Sequence, residues 1–170
     1  MNIGGGVGVG LTYMALTSPN GLWNTIKEFQ VKVTKAHMLS PYGFLAFELN
    51  GLEGGGSGAD LGSKKGTYLE LGVGPAFPLG GGRAALTIPI KAGFSVKDYY
   101  ESPLTGEDSR FGWFDVGGLI TIPLSTASSR FGSWNIHGGA EFQRLGDTTK
   151  AFNGGVGSRI IGSLGIGFTY

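Results

Sequence analysis

The stretch Val7-Gly8-Val9-Gly10-Leu11-Thr12-Tyr13 places its large apolar side chains on odd positions and glycine or threonine on even ones. A repeat of two is the signature of a β-strand, because successive side chains point to opposite faces of the sheet. Here one face is apolar and the other is nearly bare. The same rhythm recurs in seven more segments, at 22–36, 41–50, 66–77, 83–97, 111–124, 134–145 and 160–170. In the fifth, Leu86, Ile88, Ile90, Ala92, Phe94 and Val96 oppose Thr87, Lys91, Gly93, Ser95 and Lys97. Eight strands are predicted.

The connections add a second regularity. From 51–65 onward they alternate long and short, 15, 5, 11, 8 and 13 residues. Such an alternation fits an antiparallel up-and-down meander with long loops at one end, where both termini share the short-turn end. Composition agrees with a sheet of unusual polarity. Glycine supplies 34 of 170 residues, and charged residues are 15%, against about 25% in a soluble domain. With 41% apolar residues and 12% aromatic ones the chain is not disordered. Thirteen Lys and Arg balance 12 Asp and Glu, which excludes a polybasic nucleic-acid binder. There is no cysteine, hence no disulfide frame and no thiolate site for a metal.

Which face is the core decides the rest. About five large residues per strand, all turned inward, overfill the single layer of side chains that eight strands enclose. Turned outward they make a lipid-facing band, while glycine and isolated charges fill a narrow lumen. In hydrocarbon an unpaired strand edge costs several kcal/mol per polar group, so a membrane sheet must close. The fold predicted from the alternation is therefore all-β, a single domain over residues 1–170 forming an eight-stranded antiparallel up-and-down transmembrane β-barrel. Aromatics near strand ends, namely Trp23, Tyr99, Tyr100, Phe111, Trp134, Phe168 and Tyr170, are placed at the two membrane interfaces.

The terminal run Ser163-Leu164-Gly165-Ile166-Gly167-Phe168-Thr169-Tyr170 resembles the C-terminal assembly signal of bacterial outer-membrane β-barrels. In that pattern Ser163, Gly165, Phe168 and Tyr170 fall on the signal positions. The resemblance implies an outer-membrane location, contact with lipid and lipopolysaccharide, and reading of the signal by the barrel-assembly machinery. Several further stretches, among them 17–21, 42–48, 66–72 and 134–139, are similar to uncharacterised outer-membrane barrel proteins of Gram-negative bacteria. Such proteins usually begin with a signal peptide and further strands. Met1-Asn2-Ile3-Gly4 carries no such leader, so both an eight-stranded barrel and the C-terminal part of a larger one are expected lengths.

The chemistry-bearing residues gather on the polar face: Glu28, Lys32, Glu48, Glu70, Lys91, Lys97, Asp115, His137 and Glu141. Charges in a narrow interior must pair, so the first expectation is a polar network that fills the lumen in a structural role. A small pore that selects ions or solutes is the alternative, followed by a barrel that binds or carries apolar molecules. Gly21-Leu22-Trp23 matches the short G-x-W element of lipocalins, a soluble carrier class. An outer-membrane hydrolase would need His137, Glu141 and Ser163 in contact; no G-x-S-x-G elbow supports it, and no enzyme activity is expected. His37 falls in a turn, far in sequence from His137, so no metal or other cofactor is expected. A monomer or weak oligomer is expected, and recognition of external partners is assigned to loops 51–65, 99–109 and 146–158. The glycine run at 54–58 and the sequence at 62–66 match no phosphate loop.

Overall fold

The computed structural model describes residues 3–17, 19–20, 25–49, 64–102, 105–124 and 132–169. The chain is all-β with one short helix. In order the elements are β1 (Val7–Leu16), β2 (Ile26–Lys35), β3 (Tyr42–Glu48), β4 (Thr67–Val73), β5 (Ala76–Leu79), β6 (Ala84–Thr87), β7 (Ile90–Lys97), β8 (Phe111–Leu124), β9 (Ser133–Leu145), α1 (Asp147–Phe152) and β10 (Ser158–Thr169). All ten strands join one antiparallel sheet. Its main path is β1-β2-β3-β4-β7-β8-β9-β10, and the β5–β6 hairpin attaches through β6 to β8.

Two proline-bearing breaks account for ten strands where eight segments are predicted. Gly74-Pro75 separates β4 from β5, and Ile88-Pro89 separates β6 from β7. Proline has no N–H to give to the ladder. The register nevertheless runs through unshifted: Val73 faces Ile90 and Ala76 faces Thr87 on the same diagonal. The carbonyls of Pro75 and Pro89 still accept, from the N–H groups of Ile88 and Gly117, each at 3.0 Å.

The predicted closure is corrected. Among the described residues β1 pairs only with β2 and β10 only with β9, so the sheet is open and not a barrel. The two edges lie at opposite ends of the chain, and no local pattern commits them to each other.

Register assigns every side chain to a face. Glu28 lies opposite Glu48, Phe44 opposite Glu70, Lys91 opposite Asp115 and Gly117 opposite Glu141. This polar face, called inner below, holds the buried residues: Glu28 is 3% exposed, Asp115 4% and Ala46 1%. The apolar rows lie open instead, with Leu11, Leu71, Ile120 and Leu164 all exposed. The inversion expected from the alternation is therefore present in the folded chain. A cluster of aromatic rings, Tyr68, Tyr99 and Tyr100 with Phe44 and Trp113 beside them, supplies the hydrophobic core.

Candidate functional site

The inner face carries a polar layer at mid-sheet. Adjacent strands bring the members together because every second residue shares a face. Glu70 on β4 accepts hydrogen bonds from two phenols, Tyr42 at 2.6 Å and Tyr68 at 2.8 Å. Lys91 on β7 lies between two carboxylates, with Nζ 3.6 Å from Asp115 on β8 and 3.6 Å from Glu141 on β9. Lys32 on β2 stands over the Tyr42 ring, 4.6 Å from its centroid. These contacts form two groups side by side on one face, Lys32, Tyr42, Tyr68 and Glu70 on β2–β4 and Lys91, Asp115 and Glu141 on β7–β9.

The other sequence-predicted members sit elsewhere on the same face. Glu28 accepts from the Gln30 amide at 2.8 Å. Glu48 accepts from the Gly66 N–H at 2.6 Å, which ties the start of β4 to the end of β3. His137 contacts Asn135, Nδ1 to Oδ1 at 3.1 Å, and is not hydrogen-bonded to Glu141 or Ser163 among the described residues. Lys97 does not stay with them: it is exposed at the end of β7, where a register shift sets it opposite Thr67 on the apolar face. Of the assembly-signal positions, Ser163, Gly165 and Phe168 lie on β10. Gly165 gives the His137 ring its room, since a Cβ there would stand 2.6 Å from Nε2. Tyr170, Trp23 and the lipocalin-like 21–23 fall outside the described residues, as do 51–63.

Sequence reasoning missed the phenols. Tyr42, Tyr68 and Trp113 lie on the polar face by parity, but alternation gives no sign that their polar tips complete the charged layer. Glycine makes the space for these rings. A Cβ at Gly93 would lie 2.5 Å from Trp113 Nε1 and 2.7 Å from the Tyr68 hydroxyl, whereas at Gly162 it would meet nothing within 4 Å. Gly93→Ala is therefore expected to lose about 1–3 kcal/mol by overpacking. Gly162→Ala should be neutral or slightly stabilising. Denaturant midpoints of the two variants make the comparison.

The long-loop end of the inner face is closed by the chain itself. The turn after β7 folds back so that Tyr99, Tyr100 and Glu101 are 6%, 5% and 4% exposed. Asp108 holds it, accepting from the Ser95 hydroxyl at 2.7 Å and from the N–H groups of Asp98 at 3.0 Å and Tyr100 at 3.1 Å. The Tyr99 ring lies 4.9 Å from Tyr68. Outside, Lys64 pairs with Glu101 at 2.7 Å and with Asp98 at 3.6 Å. Tyr99 and Tyr100 thus do not stand at a membrane interface as the sequence suggested. Their rings find more apolar contact in the interior, a long-range choice that strand-end position does not reveal. Trp134 and Phe168 remain exposed on the apolar face, their rings tilted against each other with centroids 4.6 Å apart. In segment 146–158, α1 docks on the same end, where Thr148 donates to the Ser109 hydroxyl at 2.7 Å and Thr149 to the Gly112 carbonyl at 2.5 Å.

Burial pushes the Tyr100 phenol above its ordinary value of 10, and the hydrogen bond to Glu101 raises the Lys64 ammonium. Both groups hold their protons more tightly folded than unfolded, so their contribution is complete at neutral pH and is lost as pH rises beyond 10. An absorbance titration is expected to show one fewer late-ionising tyrosine in Tyr100→Phe than in the parent.

The short-turn end differs. A cavity of about 510 Å³ opens there, lined by Ala76, Pro78, Ala85, Thr121, Pro123 and Asn135 among others. No group of three or more His, Cys, Asp or Glu among the described residues could hold a metal ion. No protein-family model, curated protein or solved structure matches this chain.

Proposed function

We propose that this chain is an integral β-barrel protein of a bacterial outer membrane, whose polar face lines a narrow lumen largely filled by its own side chains. Its role is structural or that of a small pore, with no enzymatic step. The observation that carries this reading is the distribution of charge on the outward rows. Lys27, Lys35, Lys97 and Arg144 are their charged members among the described strand residues, and all four stand at or beside a strand end. Lys27 and Lys35 are eight residues apart on β2, about 26 Å along a strand; a tilt of about 40° projects this to about 20 Å, and the lysine stems reaching outward extend the apolar span toward the roughly 25 Å band of a membrane barrel. Between them Phe29, Val31 and Val33 face outward.

Within hydrocarbon the open edges of β1 and β10 cannot stay unpaired. The two strands run antiparallel and present matching apolar rows: Val7, Val9, Leu11 and Tyr13 on one, Ile160, Leu164, Ile166 and Phe168 on the other. Membrane insertion would close one on the other. Lipid and lipopolysaccharide are the expected surroundings, and the barrel-assembly machinery is the expected partner of Ser163, Gly165, Phe168 and Tyr170. A barrel that binds or carries small apolar molecules is the second reading, favoured by the cavity at the short-turn end, where Phe77 and Trp134 join Ala76, Ala84 and Ala85 in the lining.

Refolding into phospholipid vesicles tests the proposal. A closed barrel is expected to float with the vesicles and to migrate faster unheated than boiled on a denaturing gel. A chain that stays monodisperse without lipid or detergent, with no heat-dependent shift, would overturn it.

A further inference from the structure

We infer that the Tyr99–Tyr100 turn is a removable stopper at the long-loop end, and that the passage it stops selects cations. The inference rests on the membrane reading above. The turn is a discrete element seated on the inner face rather than part of the ladder. Asp98 adopts a positive φ of 48°, uncommon for a residue with a side chain, where the chain leaves β7 and turns inward. Asp108 collects three hydrogen bonds, from Ser95, Asp98 and Tyr100, and ties the turn to β7 through Ser95, whose hydroxyl also accepts from the Tyr99 N–H at 3.0 Å; the Lys64–Glu101 pair and the packing of the Tyr99 and Tyr100 rings complete the hold. The seat beneath is shaped for it, since a Cβ at Gly66 would lie 2.8 Å from Tyr99 Cα, and a Cβ at Gly112 would collide with the Tyr100 ring. The opposite end of the inner face has the open cavity and no such turn over it among the described residues.

The sign of the passage follows from the inner rows. They carry five carboxylates, Glu28, Glu48, Glu70, Asp115 and Glu141, against Lys32, Lys91 and, on the exposed edge strand β10, Arg159. Two negative charges remain in excess. Glu28 and Glu48 lie directly opposite each other, both buried, an arrangement that like charges disfavour and a passing cation relieves. Asp115 points into the layer with its side chain 6% exposed, Oδ2 toward Lys91 and Oδ1 accepting no hydrogen bond. A buried carboxylate in that position adds to the negative potential of the layer, which favours a cation. A ring of acidic side chains in a confined lumen favours cations over anions.

The test uses the full chain in planar bilayers under a potassium chloride gradient, comparing the protein as it is with Asp108→Ala. Losing hydrogen bonds to a charged group shifts the closed–open balance about tenfold or more, so the open fraction of Asp108→Ala should rise by at least that factor. Its reversal potential should carry the sign of a cation-selective pore, and Glu70→Gln/Glu141→Gln in the same background should move it toward zero. Heat-modifiable migration establishes that each variant is folded, and Ser95→Ala, which removes one partner of Asp108 and the acceptor of the Tyr99 N–H, provides a second, independent release. A folded Asp108→Ala and Ser95→Ala that conduct no more than the parent overturn the stopper. An anion-selective or unselective current overturns the cation assignment. Failure of the parent chain to enter vesicles is a separate outcome and overturns the membrane reading itself.

Discussion

Leu71→Arg is expected to lower stability by about 2–4 kcal/mol when the protein is embedded in phospholipid vesicles. Leu71 lies on the apolar face of β4, opposite Gly43 and Ala92, and is 50% exposed. In water a half-exposed leucine of this kind tolerates arginine within about 0.5 kcal/mol, because the guanidinium stays hydrated. In hydrocarbon the same side chain must be desolvated or must drag water inward. One substitution therefore reads the surroundings of the whole face. Urea unfolding in vesicles, followed by tryptophan fluorescence, supplies the measurement. A change below about 0.5 kcal/mol would show that the exposed rows face water.

Lys91→Met is expected to have the second large effect, about 3 kcal/mol, the low end of the range for breaking a buried ion pair. The low end applies because the Lys91 side chain retains 27% exposure. Nζ stands between Asp115 and Glu141, 3.6 Å from each. Methionine keeps the length of the side chain and removes its charge, leaving two carboxylates facing each other in a confined layer. An exposed pair treated in the same way would change stability by about 0–1 kcal/mol. Adding Asp115→Asn removes one of the stranded charges, so Lys91→Met/Asp115→Asn should recover more than half of the loss. If the double variant is no more stable than the single one, the layer is not held by charge pairing. The recovery is read from the same unfolding curves.

Alternation was the informative signal along the chain, and it was informative because strand side chains alternate with a period of two regardless of what they pack against. It placed Glu28, Glu48, Glu70, Lys91, Asp115 and Glu141 on one face and Leu71 and Ile90 on the other, as they are in the fold. Ile90 and Leu71 are exposed, while Glu70 and Lys91 are engaged with partners. The proline breaks at 75 and 89 were visible as residues, but alternation continues through them and hid the interruption. His137 was visible too, and its partner Asn135 lies two residues along the same strand; what the sheet adds is Gly165 opposite, which leaves room for the ring.

Order along the chain thus determined the all-β class, the two faces and the inventory of the polar layer, since each depends on nearest-neighbour geometry alone. Tertiary structure decided what comes from afar. It turned Tyr99 and Tyr100 inward onto Tyr68, gave Asp108 three donors, and set two phenols on Glu70. It also left β1 and β10 apart. Contacts between distant segments depend on where loops fold and on the solvent outside, and neither is written in a local repeat.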